Sequence, residues 1–204
     1  MPTRQRLTRE EARTQTRERL IETATRLFAE QGYGGTSLRD IAEQAGYSQG
    51  AFYSNFSNKE ALLLEMLRRH MAAEAAHLER LIEQGQHGPG QILDGLEAWA
   101  STLDQDINWS MLSIELQLQA QRSEEFAAAY RSVWIQHRDV LGHWIGRLFL
   151  EQKRHPPVPA EEIAASLMAL AHGLSLQHAA TGCRISGGMI VVLLRGLMAM
   201  GSPC

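Results

Sequence analysis

Eight histidines are the side chains best able to ligate a metal or move a proton, and their spacing does not converge. His137/His143 and His172/His178 are each six residues apart. That is about 120° around a helix, so neither pair meets on one ion. His70 and His77 share a face but lie two turns apart. Glu74–Ala75–Ala76–His77 is a single Glu-x-x-His, whereas a di-iron bundle needs two with further carboxylates. No phosphate loop, nucleophile elbow or Cys-x-x-Cys is present. Neither enzymatic turnover nor a metal or resident cofactor is expected. A different chemistry lies in Ser48–Asn55, where Gln49, Gly50, Tyr53, Ser54 and Asn55 present neutral hydrogen-bonders rather than salt-bridge formers. Such a surface suits base edges and phosphate oxygens. Each residue also has a plainer role: Tyr53 as a rim aromatic, Asn55 as a loop former and Phe56 as core.

Charge places that surface at the basic end of the chain. Residues 1–70 carry 11 Lys+Arg against 9 Asp+Glu, and residues 71–204 carry 9 against 14. The first nineteen residues hold six arginines against three glutamates, so a polyanion would meet the N-terminal end. The overall net charge of −3 argues against a chain basic all over. At 204 residues, 44% of them apolar, the chain can bury a proper core. No apolar run approaches the ~18–20 residues of a membrane span, so no membrane partner is expected. Cys183 and Cys204 are too few for a disulfide scaffold, which points to a reducing cytoplasm.

The elements that position these residues read as helices throughout. Leu20, Ile21, Ala24, Leu27 and Phe28 recur at helical spacing, predicting a helix over Thr14–Gln31 that Gly32, Gly34 and Gly35 end. A short helix around Leu38, Ile41, Ala42 and Ala45 follows, with capping-box spacing from Ser37 to Asp40. Gly46 makes the turn, and Ser48 caps a third helix, Gln49–Asn55. That is the arithmetic of a helix-turn-helix. Ser57–Glu60 has capping-box spacing for a long helix reaching about Gln84. After the Gly85–Gly90 linker, helices are predicted at Gln91–Asp104, Asn108–Gln121, Ser123–Lys153, Pro159–Thr181 and Gly188–Met200. The fold class is all-α with about nine helices, in three stretches: a basic flexible arm (1–13), a three-helix head (14–57) and a larger helical body (58–204).

Thr36–Ala42, Ala45–Ser48, Gly50–Tyr53 and Asn55–Leu62 together resemble the signature of the tetracycline-repressor (TetR) family, and Leu27–Tyr33 fits as well. The match covers about residues 17–66, with one departure at Tyr47, where a smaller Val is usual. The resemblance implies a dimeric repressor with an N-terminal DNA-binding head and a divergent effector-binding body. By matching positions it implies that Thr36, Ser37, Tyr53 and Lys59 hold phosphates, while Gln49, Gly50, Ala51, Ser54 and Asn55 face bases, with Ser48 also among the DNA-binding residues. Arg4–Arg13 would add backbone or minor-groove contacts.

In the body, Tyr130, Val133, Trp134, His137, Leu141, Trp144 and Leu148 share one helical face. The stripe is read either as core or as part of an effector pocket. Pocket candidates are Trp99, Trp109, Glu115, Trp134, His137, Trp144 and His172. The last two helices carry an apolar stripe, Ile163, Leu167, Leu170 and Leu174, and an apolar run containing Ile190, Leu193, Leu194 and Leu197. They are read as a homodimer interface, with closure of the monomer's own core as the other reading. The function expected is a DNA-binding regulator released from a double-stranded operator by a small, largely apolar effector. The alternative is an adaptor that tethers another protein to DNA without one.

Overall fold

The computed structural model describes residues 8–84, 90–100, 102, 107–182 and 188–203. Among them run nine helices: α1 (Arg9–Gly35), α2 (Leu38–Gln44), α3 (Gln49–Tyr53), α4 (Lys59–Gln84), α5 (Gln91–Ala100), α6 (Ile107–Arg122), α7 (Glu124–Glu151), α8 (Ala160–Thr181) and α9 (Gly188–Met200). The class is all-α, as the periodicity predicts. A two-residue antiparallel pair, β1 (Arg154–His155) with β2 (Ser202–Pro203), is the one strand pairing among the described residues. Two compact units divide the chain between Leu67 and Arg68, within α4.

In the first unit, α1 starts five residues before the expected Thr14. Thr8 and Glu11 form a capping box: the Glu11 amide donates to Thr8 Oγ1 at 3.2 Å, and the Thr8 amide donates to Glu11 Oε2 at 2.7 Å. Residues 9–13, expected in a flexible arm, are therefore helical, while Arg4 and Arg6 lie outside the described residues. The predicted stripe of Leu20, Ile21, Ala24, Leu27 and Phe28 is buried, and Ile41, Ala42, Phe52, Leu62 and Leu63 close the core around it. Gly46 turns α2 into α3 with φ of +80°, a conformation that a side chain disfavours. The start of α4 corrects the expected box at Ser57. Asn58 is the cap, its Oδ1 accepting from the Ala61 amide at 2.7 Å.

In the second unit, Leu78 and Ile82 of α4 pack with Ile92 and Leu96 of α5, Leu141, Ile145 and Leu148 of α7, Ile163 of α8 and Leu194 of α9. α5 sits close on α4 because residue 95 is glycine. A Cβ there would lie 2.9 Å from Ile82 Cα. α5 ends at Ala100 rather than 104; residues 101 and 103–106 lie outside the described residues, as do the linker residues 85–89, both cysteines and 183–187. Arg154 ties down the end of α9 by donating to the carbonyls of Met198, Ala199 and Gly201. Among the described residues no helix is long and apolar enough to cross a membrane.

Candidate nucleic-acid interface and body cavity

The head's outward surface is built by three caps. Ser37 Oγ accepts from the Asp40 amide at 3.1 Å and donates to Asp40 Oδ2 at 2.5 Å, which opens α2. Those bonds from Ser37 hold the Asp40 carboxyl below its ordinary range. Ser48 Oγ accepts from the Ala51 amide at 3.2 Å and opens α3. Asn58 does the same for α4. The face that results exposes Ser37, Ser48, Gln49, Gly50, Tyr53 and Ser54, with Tyr53 58% exposed. Ala51 is half-buried behind them. α3 stops at Tyr53, two residues short of the expected end, because the Asn55 amide bonds Phe52's carbonyl and tightens the last turn.

Three expected contacts turn inward instead. Thr36 is 1% exposed, its hydroxyl 3.0 Å from the Gly32 carbonyl oxygen and 3.3 Å from that of Leu27. It braces the end of α1 and offers no hydroxyl to a phosphate. Asn55 donates its amide to the Ala51 carbonyl at 2.8 Å, and its Oδ1 is buried, so its side chain does not face outward. Its backbone carbonyl accepts from Arg17, which also pairs with Glu65 at 3.2 Å and lies over the Phe56 ring. Phe56 itself is core. Lys59 donates to the carbonyls of Tyr33 at 2.8 Å and Thr36 at 2.9 Å, with its ammonium 3.9 Å from the Tyr33 ring centroid. It fastens the loop after α1. A lysine at the start of a predicted helix gives no sign of this, because its partners are backbone atoms more than twenty residues away.

The body holds a partly open cavity of about 80 Å³. Four predicted residues line it together: Trp99, Trp109, His137 and His172. Trp99 Nε1 donates to Glu74 Oε2 at 3.0 Å, and Trp109 stacks on His70 with ring centroids 3.8 Å apart. His137 is 7% exposed, and burial, then the neighbouring His172, push its pKa down to about 4 against a hydrogen bond that the ring donates to the Met71 backbone, which favours the charged form. His172 is likewise lowered by burial. The other three candidates do not join them. Trp134 lines a wider cleft between α6, α7 and α8, Trp144 lines a surface groove beside α4, and Glu115, half-buried, lines neither these spaces nor the cavity. His70, Met71 and Glu74 are contributions that the sequence reading missed. Their i, i+1, i+4 spacing on one long helix was the available signal.

Residues 20–66 match the family model described as "Bacterial regulatory proteins, tetR family". The HTH-type transcriptional repressor AcnR of Corynebacterium glutamicum is 26% identical over 178 residues, covering 85% of this chain and 87% of the relative. GusR of Salmonella enterica shares the fold with a TM-score of 0.73 at 21% identity, over 95% of this chain and 98% of that one. So does Thermus thermophilus FadR, a TetR-family transcriptional repressor in complex with lauroyl-CoA, with a TM-score of 0.65 at 21% identity over 90% and 94%.

Residues 20–66 thus carry the DNA-binding segment of the tetR family. Within the body the expected dimer stripe divides. Ile163, Ile190 and Leu194 are buried in the unit's own core and cannot also face a partner. Leu167, Leu170, Leu174 and Leu197 are half-buried, and Leu193 is 45% exposed. Met189 and Val192 of α9 and Leu176 of α8 are exposed as well.

Proposed function

We propose that this protein is a cytoplasmic homodimeric TetR-family repressor that binds a double-stranded operator through α2 and α3 and is released by a small molecule held in the body. The observation that carries the reading is the outward face of α3, where Gln49, Gly50 and Tyr53 are exposed and packing gives them no task. Ser37, Ser48 and Tyr53 are the groups placed to hold phosphates, and Gln49, Gly50 and Ser54 to meet bases; Thr36, Asn55 and Lys59 keep the head in shape. The apolar surface of α8 and α9 supports pairing. Gly173 and Gly196 lie in these helices, and a Cβ built on either meets no heavy atom within 4 Å, so a second backbone can approach closely. The FadR relative, whose structure holds lauroyl-CoA, supports an effector in the body. α4 supplies Lys59 to the head and His70, Met71 and Glu74 to the cavity, so one helix carries groups of both.

The test is selection of the full-length protein on random duplex DNA, followed by titration of the enriched sequence at several salt concentrations. The expected preference over unrelated DNA is about 10³-fold or more. Tyr53→Ala should weaken binding to all sequences, and Gln49→Ala should change which sequence is preferred. Failure to enrich any sequence would overturn the reading.

A further inference from the structure

One atom in the body cavity narrows the chemistry of what it can hold. Nδ1 of His137 is buried and has no hydrogen-bond partner among the described residues. The ring does bond the backbone of Met71. Because Nδ1 is unpartnered, that bond is made by Nε2, which must carry the hydrogen to meet a carbonyl. Nδ1 is therefore a bare lone pair, an acceptor without a donor. Buried polar atoms are nearly always paired, so an orphan lining a cavity points to a missing partner.

Of the other polar groups in the lining, Glu74 accepts from Trp99 Nε1, and His172 is held toward neutrality by burial. The cavity of about 80 Å³ is roughly half the ~150 Å³ that holds benzene, so it seats only a small group. His172 also lines the wider cleft with Gln117, Tyr130 and Arg131, so the two spaces adjoin at its ring.

We propose that the cavity recognises a molecule through an N–H or O–H donor placed on His137 Nδ1, with its apolar part against Trp99 and Met168. This rests on the reading of the body as an effector site and specifies its ligand class.

Pyrrole and furan are five-membered rings of nearly the same shape, and only pyrrole carries a donor. Calorimetry and tryptophan fluorescence on the full-length protein should show pyrrole binding at least about tenfold more tightly than furan. His137→Leu should abolish the preference without weakening furan. His137→Asn, whose carboxamide oxygen falls near the Nδ1 position, should restore it. The wild-type comparison stands by itself if a variant does not fold. Equal affinities, no binding of either ring, or a preference that survives His137→Leu would overturn the assignment. A separate titration of the operator complex distinguishes the two levels. Pyrrole that binds without loosening DNA sinks the effector reading and leaves His137's role intact; release by another molecule, with no pyrrole preference, does the reverse.

Discussion

Lys59 is a cation at the start of a helix, where the dipole opposes it by a few tenths of a kcal/mol. Two charge-assisted bonds to the Tyr33 and Thr36 carbonyls and the face of Tyr33 more than offset that cost, while Tyr33's hydroxyl donates to Glu60. His137 shows the opposite balance, a titratable group held neutral by burial. Its pKa is about 4 when folded and near 6.5 when unfolded, so between those values the unfolded chain binds the extra proton. The contribution to stability is complete above about pH 6.5 and is lost progressively as pH falls to about 4, roughly 3 kcal/mol in all. His172, lowered by burial, adds to the same slope, and His70 and Glu74 are the other titratable groups lining the cavity. Thermal unfolding of the wild type should therefore lose Tm steeply between pH 6.5 and 4. His137→Leu should flatten that slope, and parallel curves for the two proteins would refute the account.

At the scale of an element, α3 is a single turn and a half whose stability rests on its Ser48 cap and on Phe52 buried beneath it. Gly50 is its weakest point by helix propensity. A Cβ there meets only Ser48 Oγ, at 3.7 Å, an ordinary contact. Gly50→Ala should accordingly stabilise the head by up to about 1 kcal/mol. The same methyl projects where α3 would press on the duplex, so operator affinity should fall about tenfold or more. Melting and DNA titration measured on one preparation separate the two effects. Unchanged affinity with a raised Tm would show that α3 does not meet DNA closely at residue 50.

For the whole molecule, the decisive surface is the apolar one on α8 and α9. Leu193 and Leu194 are neighbours in sequence with opposite fates, 45% and 2% exposed. Leu193→Glu should leave a folded monomer with weakened operator binding. Leu194→Glu should unfold the body, because it places a charge among Ile163, Leu96 and Ile145. Sedimentation and thermal melting distinguish these outcomes. A dimer would also show in the DNA, since two-fold pairing requires half-sites about 34 Å apart or a multiple of it. A Leu193→Glu protein that remains dimeric would remove this face from the interface.

The all-α class, the helix-turn-helix and most helix ends were legible in the sequence because each rests on local physics. Apolar spacing sets the buried stripe of α1, Ser37 and Ser48 can cap only the amides just after them, and Gly46 permits a turn that other residues resist. The family signature was legible for the same reason, being a run of punctuated positions within one short segment. What the tertiary structure decided is how side chains spend their hydrogen bonds and which face of an evenly apolar helix turns inward. Thr36, Asn55 and Lys59 look available in sequence and are engaged in space with carbonyls, two of them far along the chain. Periodicity cannot orient α9, which is apolar nearly all round, so only packing against α5 and α7 selects Ile190 and Leu194 over Val192 and Leu193. The cavity is likewise a product of packing. Trp99, His137 and His172 sit on three different helices, and nothing local tells them apart from Trp134, Trp144 or Glu115.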